Sequence, residues 1–137
     1  MFLLDTNVLA ELRQGKPHPS AQVRAWAARQ PAHQLYLSAI SVLEFEKGVL
    51  AMERRDGRQG AVLRAWLEGV LLAFGGRILP FGDKTARLCA ALHVPDPKSE
   101  RDAMIAATAL EHGFAVVTRN TRDFKGIGLT VIDPWQG

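Results

Sequence analysis

The stretch from Ser99 to Val117, SERDAMIAATALEHGFAVV, decides the fold. Ser99 is a residue type that caps helices, and Ala103, Ala106, Ala107 and Leu110 fall at helical spacing with side chains small enough for close packing on a sheet. Gly113 ends that helix, and Ala115-Val116-Val117 follows as a short run of strand formers. Outward from this unit the pattern repeats. Phe2 to Leu4, Leu35 to Leu37, Arg77 to Phe81 and Leu129 to Ile132 read as further strands, with helical stripes between them. Short apolar runs alternating with longer helical segments indicate a parallel sheet covered on both faces. The expectation is an α/β fold, one domain over residues 1–137 with a five-stranded parallel sheet. Pro80 cannot donate to a ladder, so the third strand belongs at a sheet edge or ends there.

The intervening helices carry their own signals. Ser20 precedes Val23, Trp26 and Ala27, with Pro31 as the stop. Ser41 is expected to open a second helix, with Val42, Phe45, Val49 and Met52 on one face. Val62, Trp66, Val70 and Phe74 form a third stripe closed by Gly75 and Gly76, and Asp83 is expected to cap a short helix through Leu92. Gln14 to Ser20 and Arg54 to Gly60, rich in Gly, Pro and Asp, are expected to be mobile.

A chain of 137 residues, 47% hydrophobic and 23% charged, has ordinary globular composition, which argues against a disordered, collagenous or disulfide-scaffold protein. Its one cysteine, Cys89, lies in an apolar helical pattern and is expected to be buried, in keeping with a reducing, cytoplasmic setting. No apolar run approaches the roughly 20 residues that cross a bilayer, and Asp5 interrupts the N-terminus before a signal-like core forms. Neither export nor a membrane is indicated. The net charge of +3 permits contact with a polyanion without demanding it.

Four acids carry the chemical argument. Asp5 ends the first strand, Glu44 is expected in the first turn of the helix after strand two, Asp102 in the first turn of the last long helix, and Asp123 just after strand four. All four fall at the carboxyl edge of the sheet, where open parallel sheets bind ligands. Carboxylates brought together there repel unless a cation neutralises them, and an all-oxygen set without nearby Cys or His favours Mg²⁺ or Mn²⁺ over zinc. Such an ion activates water and clamps a phosphodiester, so hydrolysis of that bond is the default reaction. Structural readings stand beside this one. Ser41 with Glu44 and Ser99 with Asp102 have capping-box spacing, Asp5 suits an Asx turn, and Asp123 suits a solvated loop.

Other motifs are absent or bland. His18, His33, His93 and His112 lack ligand spacing, no P-loop, G-x-S-x-G or G-x-G-x-x-G occurs, and Gly126-Ile127-Gly128 reads as a turn. A haloacid-dehalogenase-type phosphatase needs a second Asp two residues after Asp5, where Asn7 stands. Trp26 and Trp66 lie on helical stripes and read as core or interface, while Trp135 is uninformative.

The segments Phe2-Leu3-Leu4-Asp5-Thr6-Asn7-Val8-Leu9, Leu37 to Glu44 with Gly48-Val49, Asp102 to Ala109, and Val117-Thr118-Arg119-Asn120-Thr121-Arg122-Asp123-Phe124 resemble the successive motifs of PIN-domain ribonucleases. Within them the chain is most similar to the VapC or FitB type of toxin from type II toxin–antitoxin pairs. The resemblance runs in order over nearly the whole chain, Arg77 to Phe81 included. It implies a Mg²⁺ or Mn²⁺ site built from Asp5, Glu44, Asp102 and Asp123, with a metal-activated water cleaving RNA. It further implies a cognate VapB-like antitoxin that blocks the site, contact with operator DNA only through that antitoxin, and a homodimer. Thr6, Thr118 and Asn120 match polar positions near the metal, where they would orient waters, carboxylates or a phosphate, or act simply as turn and strand-end hydrogen bonders. Asp123 is the least uniform of the family's acids, and Asn120 is placed to share its role. Glu46 stands where the family usually carries an apolar residue, which marks that helix for partial exposure or a partner.

Arg13, Lys16, Lys47, Arg54, Arg55, Arg119 and Arg122 are candidates for contacting RNA phosphates, with a solvated face as the alternative; Arg119 and Arg122 flank the acids and are preferred. The function these features imply is a metal-dependent endoribonuclease acting as a toxin. The alternatives are a binding protein that chiefly complexes a DNA-binding antitoxin, docking it on the stripes around Val23, Trp26, Phe45 and Val49, and an RNA-maturation nuclease without an antitoxin.

Overall fold

In the computed structural model, residues 1–136 are described; Gly137, the last residue of the expected domain, lies outside them. Five strands form one parallel sheet: β1 (Phe2–Leu4), β2 (Leu35–Ser38), β3 (Ile78–Leu79), β4 (Ala115–Val117) and β5 (Val131–Ile132), in the order β3-β2-β1-β4-β5. The chain builds outward from β1 to β3 on one side, then crosses back to place β4 on the other flank of β1. Strand order therefore reverses between β1 and β4, which opens a crevice at their carboxyl ends. Their register is Phe2 with Ala115 and Leu4 with Val117, so the next residues, Asp5 and Thr118, lie side by side.

Alternation along the strands sorts the core into two layers. Leu4, Leu35, Leu37 and Val117 face one way and pack with Val8, Leu9, Val23 and Trp26. That layer is covered by α1 (Thr6–Glu11), α2 (Ala21–Ala28), α3 (Ala39–Arg55) and α4 (Gly57–Ala73). Leu3 and Val116 face the opposite way, onto Ile105, Ala106 and Ala109 of α6 (Glu100–His112) and Phe124. Ala103 and Ala107 turn to the other side of α6 and meet Cys89 of α5 (Asp83–Leu92). The alanines let α6 approach both neighbours closely, whereas Leu110 is only half-buried. Cys89 is buried as expected, and burial pushes its thiol pKa up.

Several boundaries differ from the sequence reading. Ser38, not Ser41, caps α3: its Oγ accepts from the Ser41 N–H at 3.1 Å, which puts Glu44 in the second turn. Ser99 precedes α6 but makes no side-chain cap bond, so neither expected capping box forms. Gly82 precedes α5, with Asp83 as its first residue. The stretch 54–60 is a helical corner instead of a loose loop, because Asp56 ends α3 and caps α4, its Oδ1 accepting from the N–H groups of Arg58 and Gln59 at 3.1 Å each. The segment after α1 is tied down as well: Glu11 accepts from the Ser20 N–H at 2.8 Å and pairs with Lys16 at 3.3 Å. The third strand is shorter than Arg77 to Phe81. It lies at the sheet edge and stops before Pro80, as that residue requires, and the Arg77 guanidinium is engaged by the Ala32, Leu35 and Ala73 carbonyls. The fifth strand starts at Val131, after a turn with positive φ at Gly126 and Gly128. The helix α1 was not anticipated.

No helix among the described residues is long and apolar enough to cross a membrane.

Candidate active site

Asp5 is fully buried at the end of β1, where its N–H donates to the Val117 carbonyl at 2.9 Å. Its side chain does double duty. Oδ1 caps α1 by accepting from the Thr6 N–H at 2.7 Å, while Oδ2 accepts from the Thr118 hydroxyl at 2.7 Å and the Asn7 amide at 3.5 Å. Asp5 is therefore a helix cap as well as a member of the crevice; its bond to the next residue's N–H replaces the i to i+2 bond of the expected Asx turn. Thr118 in turn accepts from the Asn120 N–H at 3.0 Å, so β4 and the turn after it are referenced to the same carboxylate.

Glu44 arrives from α3. The Thr6 hydroxyl donates to its Oε1 at 2.5 Å and approaches Ser41 Oγ at 3.0 Å, which fixes α3 against the start of α1. Asp102, buried in the first turn of α6, completes a group of three.

The three carboxylates meet on one cation, and it belongs to the chain. Arg101 donates through Nε to Glu44 Oε2 at 2.6 Å, through one terminal nitrogen to Asp102 Oδ1 at 2.6 Å, and through the other to Asp5 Oδ1. Burial opposes the Arg101 charge, but the hydrogen bonds to Glu44 and Asp5 outweigh it and hold its pKa above the ordinary arginine value. Asp102 is shifted the other way from a typical paired acid. Its burial raises the pKa, Arg101 lowers it, and the nearby charges of Asp123 and Asp5 raise it again, for a net increase. Asp123 is exposed and contacts none of the three directly, yet it stands close enough for its charge to be felt at Asp102.

Sequence reasoning missed Arg101. A signal was present: a cation in the first turn of a helix opposes the helix dipole, so an arginine there needs anionic partners. Ser41 and Asn7 were also overlooked as supports.

The 3-10 turn Thr121–Phe124 carries Asp123 and is anchored by Phe124, which is buried beneath it. Arg119, Asn120, Arg122, Asp123 and Lys125 line an open cleft of about 410 Å³ at this turn. The Arg119 guanidinium lies 5.1 Å from the centre of the Trp135 ring, which gives that tryptophan a role the sequence left blank. The other cations are elsewhere: Lys16 is engaged with Glu11, Lys47, Arg54 and Arg55 lie exposed along α3, and Arg13 lines a separate groove. That groove, about 200 Å³, runs from Glu44 between Ala10, Phe45, Gly48, Val49, Leu63 and Trp66. Val23, Trp26 and Val49, expected to offer a docking stripe, are buried instead, and Phe45 is half-buried. Glu46 is partly exposed, as expected, and forms a bidentate pair with Arg64 of α4, which also engages Glu53.

The donor chemistry fits a hard divalent ion, because Asp5, Glu44 and Asp102 present only carboxylate oxygens to one point. As arranged around the guanidinium, however, no three acid, His or Cys groups among the described residues stand close enough together to hold an ion.

A family profile described as the PIN domain matches residues 2–128. The chain belongs to the PIN domain family. Among its relatives is a protein named VapC ribonuclease Y4jK from Sinorhizobium fredii, 42% identical over 99% of each chain. Toxin FitB of Neisseria gonorrhoeae is 37% identical, covering 98% of this chain and 99% of its own. A solved structure of FitAB bound to an IR36 DNA fragment superposes with a TM-score of 0.88 at 37% identity, over 98% of this chain and 96% of that one. This PIN domain is thus of the VapC and FitB type, with the five-stranded parallel sheet set out above.

Proposed function

We propose that the protein is a Mg²⁺- or Mn²⁺-dependent endoribonuclease and the toxin of a toxin–antitoxin pair, working in the cytoplasm. The observation that carries this reading is the convergence of Asp5, Glu44 and Asp102 on a single cation at the strand-order reversal. The names of full-length relatives, a ribonuclease and a toxin, support it. Asp5, Glu44 and Asp102 would hold the ion, with Asp123 completing its shell directly or through water and Asn120 beside it. When bound, such an ion lowers the pKa of a water and neutralises charge on a phosphodiester.

The chain's own groups do the rest. Thr118, Thr6 and Asn7 each donate to an acid and hold its orientation without contributing charge. Arg119, Arg122 and Lys125 bring positive charge to the cleft beside Asp123 and offset the repulsion between an acidic cluster and an RNA backbone. Arg119, stacked on Trp135, is held ready to meet a phosphate at little cost in side-chain entropy.

The test is RNA cleavage by purified protein with Mg²⁺, Mn²⁺ or EDTA, paired with growth arrest on expression. Asp5→Asn should reduce both by more than the roughly 10–100-fold that losing a supporting group costs. Undiminished cleavage in Asp5→Asn or in EDTA would refute the mechanism.

A second reading is favoured by the groove that begins at Glu44 and by the DNA-bound FitAB complex. A helix of a VapB-like antitoxin laid along Phe45, Leu63 and Trp66 would reach the acids, block the site and link the protein to operator DNA. Exposed Leu43, Leu50 and Val62 on α3 and α4 leave apolar surface for a homodimer or for that partner.

A further inference from the structure

We propose that Arg101 is a built-in counter-ion that competes with the divalent ion for Asp5, Glu44 and Asp102, so that the site loads only as its guanidinium withdraws. The inference rests on the metal-dependent reading above and concerns what holds the site before an ion arrives.

The oxygen bookkeeping leads to it. Asp5 Oδ2 is committed to Thr118 and Asn7, and Glu44 Oε1 to the Thr6 hydroxyl. One oxygen of each acid accepts from Arg101: Asp5 Oδ1, which also takes the Thr6 N–H, Glu44 Oε2 and Asp102 Oδ1. An ion drawing on these three oxygens would compete for them with the guanidinium. A planar fork places its three acceptors around a group several ångströms wide, whereas Mg²⁺ draws its oxygens to about 2.1 Å from one point. Both cannot be satisfied at once.

Nothing else binds the Arg101 head. Its hydrogen bonds among the described residues all go to these carboxylates, and the first turn of α6 repels a cation through the helix dipole. Its side chain is 30% exposed, so withdrawal leads straight to solvent without repacking the core. The seat is held by hydrogen-bonded ion pairs and yields to a stronger charge. Without an ion, the same contacts keep three close carboxylates from repelling one another. If the withdrawn state is populated at about one part in ten or less, the apparent ion affinity falls about tenfold or more below the intrinsic one.

The experiment compares Mn²⁺ binding by titration calorimetry in the wild type, Arg101→Gln and Arg101→Lys. Arg101→Gln should bind about tenfold or more tightly, and should be less heat-stable than the wild type when metal-free. Arg101→Lys, a point charge that cannot bridge three acids, should fall between. Equal or weaker binding by Arg101→Gln, with clear binding by the wild type, overturns this inference and leaves the metal-dependent reading standing. Absence of binding in all three overturns both. Should Arg101→Gln fail to fold, the wild type answers alone by ¹⁵N NMR. The Arg101 Nε–H, shielded by Glu44 in the metal-free protein, should lose its protection from exchange as Mg²⁺ saturates, and an unchanged resonance at saturation overturns the proposal.

Discussion

Glu11 is a buried carboxylate with a purely structural part to play. Burial alone would raise its pKa, but the Ser20 N–H, Lys16 and the charge of Arg24 outweigh burial and lower it from 4.5. A depressed folded-state value means a stabilising contribution that is present above pH 4.5 and lost as pH falls through the folded value. Glu11→Gln should therefore cost about 1 kcal/mol at neutral pH, with the gap to the wild type closing in acid. Urea midpoints across pH 3 to 7 check this; a gap independent of pH, or none at neutrality, would count against it. At the same scale, the legibility of the site was uneven. Asp5 was readable because it follows a strand end, and Glu44 and Asp102 because each lies near the start of a helix packed on the sheet. Arg101 was not, because its role depends on three carboxylates from three separate elements, 96, 57 and 1 positions away in the chain.

Helix boundaries show where local pattern fell short. Ser38 and Ser41 are both good capping residues, and choosing between them depends on β2 ending one residue later than its apolar run suggests. The helix α1 has six residues, too few to display a period, and begins with a cap supplied by the candidate site itself. The α3–α4 corner is set by close approach: a Cβ on Gly60 would sit 2.5 Å from the Glu53 Cα. Gly60→Ala should therefore push the two helices apart and cost about 1–3 kcal/mol despite alanine's better helix propensity. Thermal unfolding checks it, and a stabilised variant would contradict the packing. The 3-10 turn after β4 depends likewise on one residue. Phe124→Ala should cost about 3–5 kcal/mol and release the turn that carries Asp123, so cleavage should fall along with stability. Loss of stability with undiminished cleavage would show that Asp123 is not needed.

For the whole molecule, composition and alternation were enough to give the class, the number of strands and an edge position for the third. They could not give the strand order, since a list of strands does not say that the chain crosses back to pair β4 with β1. That crossing is what sets Asp5 beside Thr118 and draws α6, with Arg101 and Asp102, over the same crevice. A crystal soaked in Mn²⁺ and measured at the manganese absorption edge tests the resulting site most directly. The expected result is an anomalous peak bounded by Asp5, Glu44 and Asp102 with the Arg101 head displaced, and no such peak in Asp5→Asn crystals. An ion bound elsewhere, or the Arg101 bridge intact at saturating Mn²⁺, would contradict it.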